Sequence, residues 1–175
     1  MMLSEIKNGN TFNIGNYKLI KFSDNDGKSI VVFADTVFDE RFGDDNNFSK
    51  SKILKRLNDE ILPEIIKVVG EDNVLEFETD LTSLDGLKTH GTMKSKISIP
   101  TFDFYRNNIH IFDEYKIPKY WWLATPDTTS EHYNNRWIVC VSPGGRMDND
   151  LYFNVRGVRP FCILKSHIFV SNQED

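Results

Sequence analysis

The chain has 175 residues, of which 39% are hydrophobic, 13% aromatic and 27% charged, and its formal net charge at pH 7 is −5. These values are typical of one globular domain that can bury a core, and the negative charge has the wrong sign for electrostatic binding to phosphates. We therefore expect no nucleic-acid partner. No apolar run is long enough to span a membrane, and Met1–Glu5 lacks the apolar core of a secretion signal, so we also expect no membrane association and a cytoplasmic location.

Two hairpins are predicted near the N-terminus. Residues 11–22 alternate apolar and polar side chains around Gly15-Asn16, which is the pattern of two strands joined by a tight turn. Ser23–Ser29 has acids at alternate positions before a glycine, as a calcium loop does, but it lacks the glutamate that completes such a loop. An Asp-Gly turn is the favoured interpretation, followed by a third strand over residues 29–34.

Helices are predicted after a polar loop. Residues 39–47 contain four acids and no nearby histidine, which favours a solvated loop over a metal site. Apolar residues then recur at spacings of three and four over residues 53–69, as on one face of a helix. Because Pro63 interrupts this pattern, we predict one helix over residues 49–61 and a second over residues 63–69, both packed on a sheet.

The middle of the chain carries weaker signals. A short strand is predicted at residues 74–77 and an acidic turn at residues 80–86. A short helix is predicted over residues 101–108, directly after a proline. The apolar residues at 109–115 are expected to pack beneath the tryptophan pair that follows them.

The C-terminal third contains the densest aromatic and β-branched runs. Residues 137–141, 151–155 and 161–164 are apolar and are separated by turn-rich spacers, which predicts strands of a compact antiparallel sheet. Cys140 and Cys162 each lie in such a run, where cysteine commonly packs as a reduced thiol. A disulfide between them is the alternative if their strands are neighbours.

Several motifs together resemble those of a bacterial and phage family of uncharacterised domains. The most specific are Trp121-Trp122-Leu123 and Gly157-Val158-Arg159-Pro160, accompanied by the Gly15-Asn16 hairpin and Ser142-Pro143-Gly144-Gly145. The fold of that family is similar to the C-type-lectin fold, which formylglycine-generating enzymes and the variable ligand-binding proteins of retroelements share. The resemblance covers nearly the whole chain.

The resemblance implies an α+β fold, specifically a single C-type-lectin-like domain with antiparallel sheets and one or two packing helices. This domain is expected to occupy residues 1–175. The N-terminal hairpins and helix are expected over residues 1–70, and the lectin-like β core over about residues 100–170.

Four residues acquire structural roles from the same resemblance. Trp121 and Trp122 correspond to core tryptophans, with one ring buried and the other partly exposed. Arg159 corresponds to an arginine that ties the last strand into the fold, through a carboxylate or through backbone carbonyls. Gly157 is expected to permit a close backbone approach in the turn.

The enzymatic branch of this fold needs a closely spaced cysteine pair that holds copper. In the corresponding region this chain has Arg146-Met147-Asp148-Asn149, and Cys140 and Cys162 are far apart in the sequence. The four histidines show no metal-ligand spacing, and no nucleophile elbow is present. We therefore predict no catalytic residues, no metal site and no cofactor, and an enzyme of the formylglycine-generating type is disfavoured.

In lectin-like folds of this kind, ligands contact irregular loops of the C-terminal half, which here are residues 125–136 and 142–150. These loops are rich in the residue types that form recognition surfaces. The candidate binding residues are Tyr133, Asn134, Asn135, Arg136, Trp137, Arg146, Asp148 and Asn149. Solvated loops without a binding role are the alternative interpretation.

These observations predict a non-enzymatic recognition module that binds a protein partner and is encoded by a phage or another mobile element. An inhibitor that occludes a host protein would act in the cytoplasm. The alternative, a host-surface receptor-binding component, would act on a phage particle. Calcium-dependent sugar binding is disfavoured, because Thr125-Pro126-Asp127 has threonine where a carboxylate or amide ligand is needed.

Overall fold

The computed structural model describes residues 1–172, which form an α+β fold with eleven strands in three sheets. The strands are β1 (Thr11–Ile14), β2 (Tyr17–Asn25), β3 (Lys28–Phe33), β4 (Phe38–Arg41), β5 (Phe77–Asp80), β6 (Thr92–Ser95), β7 (Trp121–Pro126), β8 (Trp137–Val141), β9 (Met147–Leu151), β10 (Val155–Val158) and β11 (Phe161–Lys165). A four-stranded sheet has the order β1-β2-β3-β11, a five-stranded sheet has the order β4-β10-β7-β8-β9, and β5 pairs with β6.

The helices are α1 (Lys52–Arg56), α2 (Leu62–Val69), α3 (Phe102–Asn107) and α4 (Ile109–Phe112). α1 contacts β4 and α3 contacts β7 of the five-stranded sheet, whereas α2 contacts β1 of the four-stranded sheet. One wide π turn, Leu57–Ile61, joins α1 to α2, and short 3-10 turns occur at Leu3–Glu5, Phe48–Lys50, Glu71–Asn73 and Asp113–Tyr115. The short helix predicted over residues 101–108 is confirmed, with Thr101 capping its first turn.

The N-terminal hairpins are confirmed. β1 and β2 are antiparallel and are joined at Gly15-Asn16, with Ile14 opposite Tyr17. β2 and β3 are joined by Asp26 and Gly27, whose φ angles of 51° and 73° are both positive. An Asp-Gly turn of this left-handed kind matches the twist of a hairpin, which explains why the acid-rich segment forms a turn.

The predicted break at Pro63 is wrong, because the chain stays helical from Lys52 to Val69. Proline has no N–H to donate and its ring crowds the preceding turn. Here the helix widens by one residue instead of ending, and the Leu62 N–H donates to the Leu57 carbonyl five residues back. The helix ends at Gly70, which has a φ of 89°.

Two loop predictions and two strand predictions need correction. The strand predicted over residues 74–77 is displaced, because β5 begins at Phe77 and ends at Asp80. The segment predicted as a loop over residues 39–47 begins with β4, and the loop predicted over residues 142–150 contains most of β9. The strand predicted over residues 151–155 is instead the end of β9, a turn over residues 152–154 and the start of β10. β4 and β9 are the two edges of the five-stranded sheet, and β9 is mostly exposed, so their sequences lack the apolar alternation of a half-buried strand.

The sheets are not wholly antiparallel as predicted, because β10 runs parallel to β7 where Gly157 lies opposite Trp121. The Gly157 N–H donates to the Tyr120 carbonyl at 2.9 Å. A Cβ atom on Gly157 would lie 2.6 Å from Thr36 Cγ2 and 3.2 Å from the Tyr120 oxygen. The close approach expected at Gly157 is therefore confirmed, and it is what allows these strands to join.

Both tryptophans are buried, so the predicted partial exposure of one ring is wrong. Trp121 is 2% exposed and Trp122 is 0% exposed. They point to opposite faces of β7, and both faces are covered. Trp122 packs against Phe42 and its indole N–H donates to the Glu40 carbonyl at 3.0 Å, whereas Trp121 packs against Phe112, as expected for the apolar segment before it.

Arg159 is only 1% exposed and is held by backbone carbonyls, which confirms one of the two predicted alternatives. Its Nε donates to the Phe33 oxygen at 2.7 Å, and its Nη2 donates to the oxygens of Ala34 and Tyr115, each at 3.2 Å. The guanidinium carbon lies 5.0 Å from the centre of the Trp121 ring. Burial lowers the pKa of Arg159 to about 10.

The two cysteines are unpaired and buried in the same core cluster, Cys140 on β8 of the five-stranded sheet and Cys162 on β11 of the four-stranded sheet. Burial raises the pKa of the Cys140 thiol and of the Cys162 thiol to about 12. The prediction of two reduced thiols packed as small apolar groups is therefore confirmed over the disulfide alternative.

We expect Gly157→Ala to lower the free energy of unfolding by about 1–3 kcal/mol, because the new methyl group overlaps Thr36 and the Tyr120 carbonyl. Thr36→Ser removes the nearest overlapping atom and should restore part of the loss in the double variant. The control is Gly144→Ala, where the nearest heavy atom is Ser142 Oγ at 3.9 Å. Urea denaturation checks all three, and equal stability of the two alanine variants would contradict the steric account.

Candidate functional site

Residues 127–136, here called the Tyr133 loop, connect β7 to β8 and carry four of the eight predicted binding residues. The Tyr133 side chain is 78% exposed, an unusual degree of exposure for an aromatic residue. Arg136 is also exposed, and Asn134 and Asn135 are half-buried. Trp137 is half-buried at the first position of β8.

The Tyr133 loop is held to the fold by a buried asparagine. Asn46 is 0% exposed, and its Nδ2 donates to the Thr128 oxygen at 2.7 Å and to the Trp137 oxygen at 3.1 Å. The Asn46 backbone N–H donates to the Asn135 oxygen at 2.9 Å. One side chain and its own backbone therefore fix both ends of the loop, and the acidic segment that was predicted as a plain solvated loop contributes this support.

A second set of contacts ties the Tyr133 loop to the segment after β5. The Asp85 carboxylate accepts hydrogen bonds from the Ser83 hydroxyl, from Thr128 Oγ1 at 2.5 Å and from His132 Nδ1 at 2.7 Å. These donors, led by Ser83 and Thr128, lower the pKa of Asp85 to about 2. Leu84 N–H also donates to the oxygen of Pro126, the last residue of β7, at 3.0 Å, so a backbone contact joins this segment to the start of the loop.

The Asp85–His132 pair resembles the orienting half of a general base, because the carboxylate engages Nδ1 and leaves Nε2 for other contacts. The hydroxyls of this cluster bond the carboxylate instead of the imidazole. Ser83 is 5% exposed, and its oxygen also accepts the Leu87 N–H at 3.0 Å. Both hydroxyls and His132 therefore converge on Asp85, and the cluster ties the Tyr133 loop to the segment after β5.

The second group of predicted binding residues lies apart from the first. Arg146 ends the turn between β8 and β9, and Asp148 and Asn149 lie on β9 opposite Cys140 and Val139. All three predicted side chains are exposed. Because β8 has five residues, its two ends lie about 13 Å apart, which separates Arg146 from the Tyr133 loop. The predicted set therefore forms one loop cluster and one separate hairpin.

Sequence reasoning missed Phe153, which is 52% exposed in the turn between β9 and β10. This turn adjoins the Tyr133 loop, because the Tyr152 N–H donates to the Arg136 oxygen at 3.0 Å. The Tyr152 and Phe153 ring centres are 5.3 Å apart. A local sequence signal was present, since Asp150 and Asn154 flank this turn and both residue types are typical of turns.

A groove of about 610 Å³ is lined in part by Ser83 and Leu84, from the segment that holds Asp85. It runs between β5 and α3, with Phe161 and Ile163 of β11 among its lining residues. Ser83 lines one end of this groove and bonds Asp85, so the groove and the Tyr133 loop share a structural support. No sequence prediction identified the groove, because its walls come from segments that are distant in the chain.

Comparison with protein-family models found no match, and neither the curated proteins nor the solved structures gave a significant match. The resemblance to a lectin-like family therefore stays a prediction. Within residues 1–172, no helix has the length and apolar character needed to cross a bilayer. In the same residues, no three His, Cys, Asp or Glu side chains cluster as potential metal ligands.

We expect Asp85→Asn to change the dependence of stability on pH. The pKa of Asp85 is depressed in the folded state, so its contribution is present above about pH 4 and is lost as pH falls towards about 2. This contribution is about 2 kcal/mol. The difference in unfolding free energy between the parent chain and Asp85→Asn should therefore shrink by that amount between pH 5 and pH 2.

Urea denaturation across this pH range provides the measurement. Glu131→Gln removes an exposed carboxyl from the Tyr133 loop and controls for the loss of one negative charge. If the difference in unfolding free energy between the parent chain and Asp85→Asn stayed constant with pH, the role assigned to the Asp85 cluster would be contradicted.

Proposed function

We propose that this chain is a non-enzymatic recognition module that binds a protein partner through the Tyr133 loop. One observation carries the proposal. Tyr133 is 78% exposed at the tip of a loop whose base is fixed by Asn46 and Asp85. An ordered loop that exposes a large aromatic side chain to water gains no stability from that side chain. A role in binding accounts for its exposure better.

Pre-organisation of the Tyr133 loop favours binding. Association orders side chains and loops at a cost in free energy, and a loop that is already fixed avoids much of that cost. The amides of His132 and Tyr133 both donate to the Thr129 oxygen, at 3.1 Å and 2.9 Å. Thr129 is itself buried and its hydroxyl bonds Thr89 at 2.7 Å. The buried Thr129 thereby fixes the turn that exposes Tyr133.

The composition of the exposed surface supports a protein partner. Tyrosine and arginine are enriched among the residues that dominate protein–protein binding energies, and they are adaptable enough to meet a varied surface. Tyr133 and Arg136 belong to the same loop, and Phe153 adds a second exposed ring beside Arg136. Asn134 and Asn135 supply polar groups at the margin of this surface.

The lectin-like resemblance supports the same surface, because loops of the C-terminal half carry ligand contacts in folds of that kind. On this proposal the chain derives from a phage or another mobile element. Binding to a host protein in the cytoplasm and binding to a host surface both use the Tyr133 loop, and they differ in where the partner is found.

We expect the double variant Tyr133→Ala/Arg136→Ala to lose partner capture by at least about tenfold, because both central side chains of the contact are removed. The parent chain is immobilised, host-cell lysate and whole host cells are applied, and bound protein is quantified. A stoichiometric partner from lysate indicates an intracellular inhibitor or adaptor, and adhesion to whole cells indicates surface recognition.

Phe169→Ala is the matched control. The Phe169 side chain is as exposed as that of Tyr133, at 78%, and Phe169 pairs with Met2 and does not belong to the Tyr133 loop. This control variant should capture partner like the parent. Thermal unfolding of all variants should agree closely, since exposed side chains contribute little to stability. Capture that survives in the double variant, or that is lost equally in the control, would refute the Tyr133 surface.

A further inference from the structure

The groove beside α3 runs along an open strand edge. All four residues of β5, Phe77, Glu78, Thr79 and Asp80, line it. Successive side chains of a strand point to opposite faces, so a cavity on one face would meet only alternate residues. The lining residues include none from β6, the strand that pairs with the other edge of β5. The groove therefore follows the edge of β5 that faces away from β6.

The backbone groups on this edge point into the groove. Within residues 1–172, β5 has β6 as its single strand neighbour. The Leu81 N–H donates to the Gly91 oxygen at 3.0 Å, so Leu81 faces β6. Hydrogen-bonded and non-hydrogen-bonded pairs alternate along an antiparallel ladder, so Thr79 also faces β6. The N–H and C=O groups of Glu78 and Asp80 consequently face the groove and can pair with another strand.

One face of the groove is aromatic. The Phe77 ring centre is 5.1 Å from that of Phe161, and Phe161 is 5.0 Å from Phe104 of α3. Phe77 is half-buried and lines the groove together with Phe161 and Phe104. Apolar side chains of an added strand that point to the Phe77 side of β5 would pack on these rings.

The other face of the groove is acidic. Glu78 and Asp80 are exposed and point to the side of β5 opposite Phe77. Asp103 lies across the groove on α3, where it pairs with Arg106 at 2.9 Å. Three carboxylates and one guanidinium line the groove, and Lys94 of β6 lies opposite Glu78, outside this lining. A strand added to β5 would meet the carboxylates of Glu78 and Asp80 on alternate residues.

From this geometry we infer that the groove binds an extended peptide segment of the partner as an added antiparallel or parallel strand. The segment alternates apolar residues, which pack on the phenylalanine rings, with lysine or arginine residues, which meet Glu78 and Asp80. The four residues of β5 limit the paired length to about 10 Å, or about four residues of the segment. The inference rests on the proposed function in that the segment belongs to the protein partner.

A random heptapeptide library displayed on phage and panned against the intact chain tests the inference. Enriched peptides should alternate apolar and basic residues over about four positions. A synthetic peptide with the enriched sequence should bind the chain, and its affinity should fall as salt concentration rises. Absence of enrichment over an empty support, or enrichment without this alternation, would overturn the inference.

Two substitutions at one position separate backbone pairing from charge. Glu78→Gln removes the carboxylate and keeps the outward N–H, whereas Glu78→Pro also removes the N–H, without removing any donor used by β6. Both substitutions should weaken peptide binding, and the proline variant should bind the peptide with about fivefold lower affinity than the glutamine variant. Equal affinities of the two variants would overturn strand addition.

A chemical change in the peptide provides a measurement that does not depend on folding of a variant. N-methylation of a backbone amide that pairs with β5 should weaken binding by about fivefold or more, and N-methylation of the next residue should have a smaller effect. If every methylated peptide binds like the parent peptide, the segment does not pair as a strand.

Failure of this inference and failure of the proposed function give different results. Tyr133→Ala/Arg136→Ala should still bind the peptide while it loses the whole partner. If Glu78→Pro captures the whole partner as well as the parent chain, the groove inference fails and the Tyr133 surface stands. If the Tyr133 double variant captures partner normally and Glu78→Pro does not, the Tyr133 surface fails and the groove stands.

Discussion

The guanidinium of Arg159 is removed from water at the junction of the two large sheets, in the two-residue link between β10 and β11. Burial of a charged group is costly unless its donors are satisfied. Carbonyls of Phe33, Ala34 and Tyr115 accept its hydrogen bonds, and the ring of Trp121 covers it. Because these partners belong to the end of β3, to the turn before β7 and to β7 itself, their arrangement fixes how the two sheets meet.

Both proposed recognition surfaces extend from strands that this junction positions. β7 begins at Trp121, beside Arg159, and leads at its far end into the Tyr133 loop. β11 begins at Phe161, two residues after Arg159, and Phe161 contributes a central ring to the groove beside β5. The segment around Asp85 then connects the loop and the groove, because Ser83 lines the groove and shares the Asp85 carboxylate with His132.

Features that depend on local chemistry could be predicted from the sequence. The turns at Gly15-Asn16 and Asp26-Gly27 were identified because these residue types tolerate the backbone angles that hairpins need. Exposure of Tyr133 followed from an aromatic residue within a polar loop. Gly157 could be assigned a close approach, although its actual neighbour, Thr36, belongs to a segment that no local pattern connects to it.

Features that depend on tertiary contacts were missed or misjudged. The exposure of Trp121 and Trp122 depends on which elements cover each face of β7, and adjacent residues of one strand give no information on that. β9 is an exposed edge, so its polar sequence resembles a loop. The groove has no continuous sequence signature, because β5, α3 and β11 supply its walls from three separate parts of the chain.

The central claim is that a protein partner contacts the Tyr133 loop. Amide hydrogen exchange of the chain, measured alone and with the captured partner, tests this claim most directly. The account predicts slower exchange over residues 127–136 when the partner is present, with little change on the exposed edge strand β9. Unchanged exchange over residues 127–136, with protection on β9 or on another surface, would contradict the account.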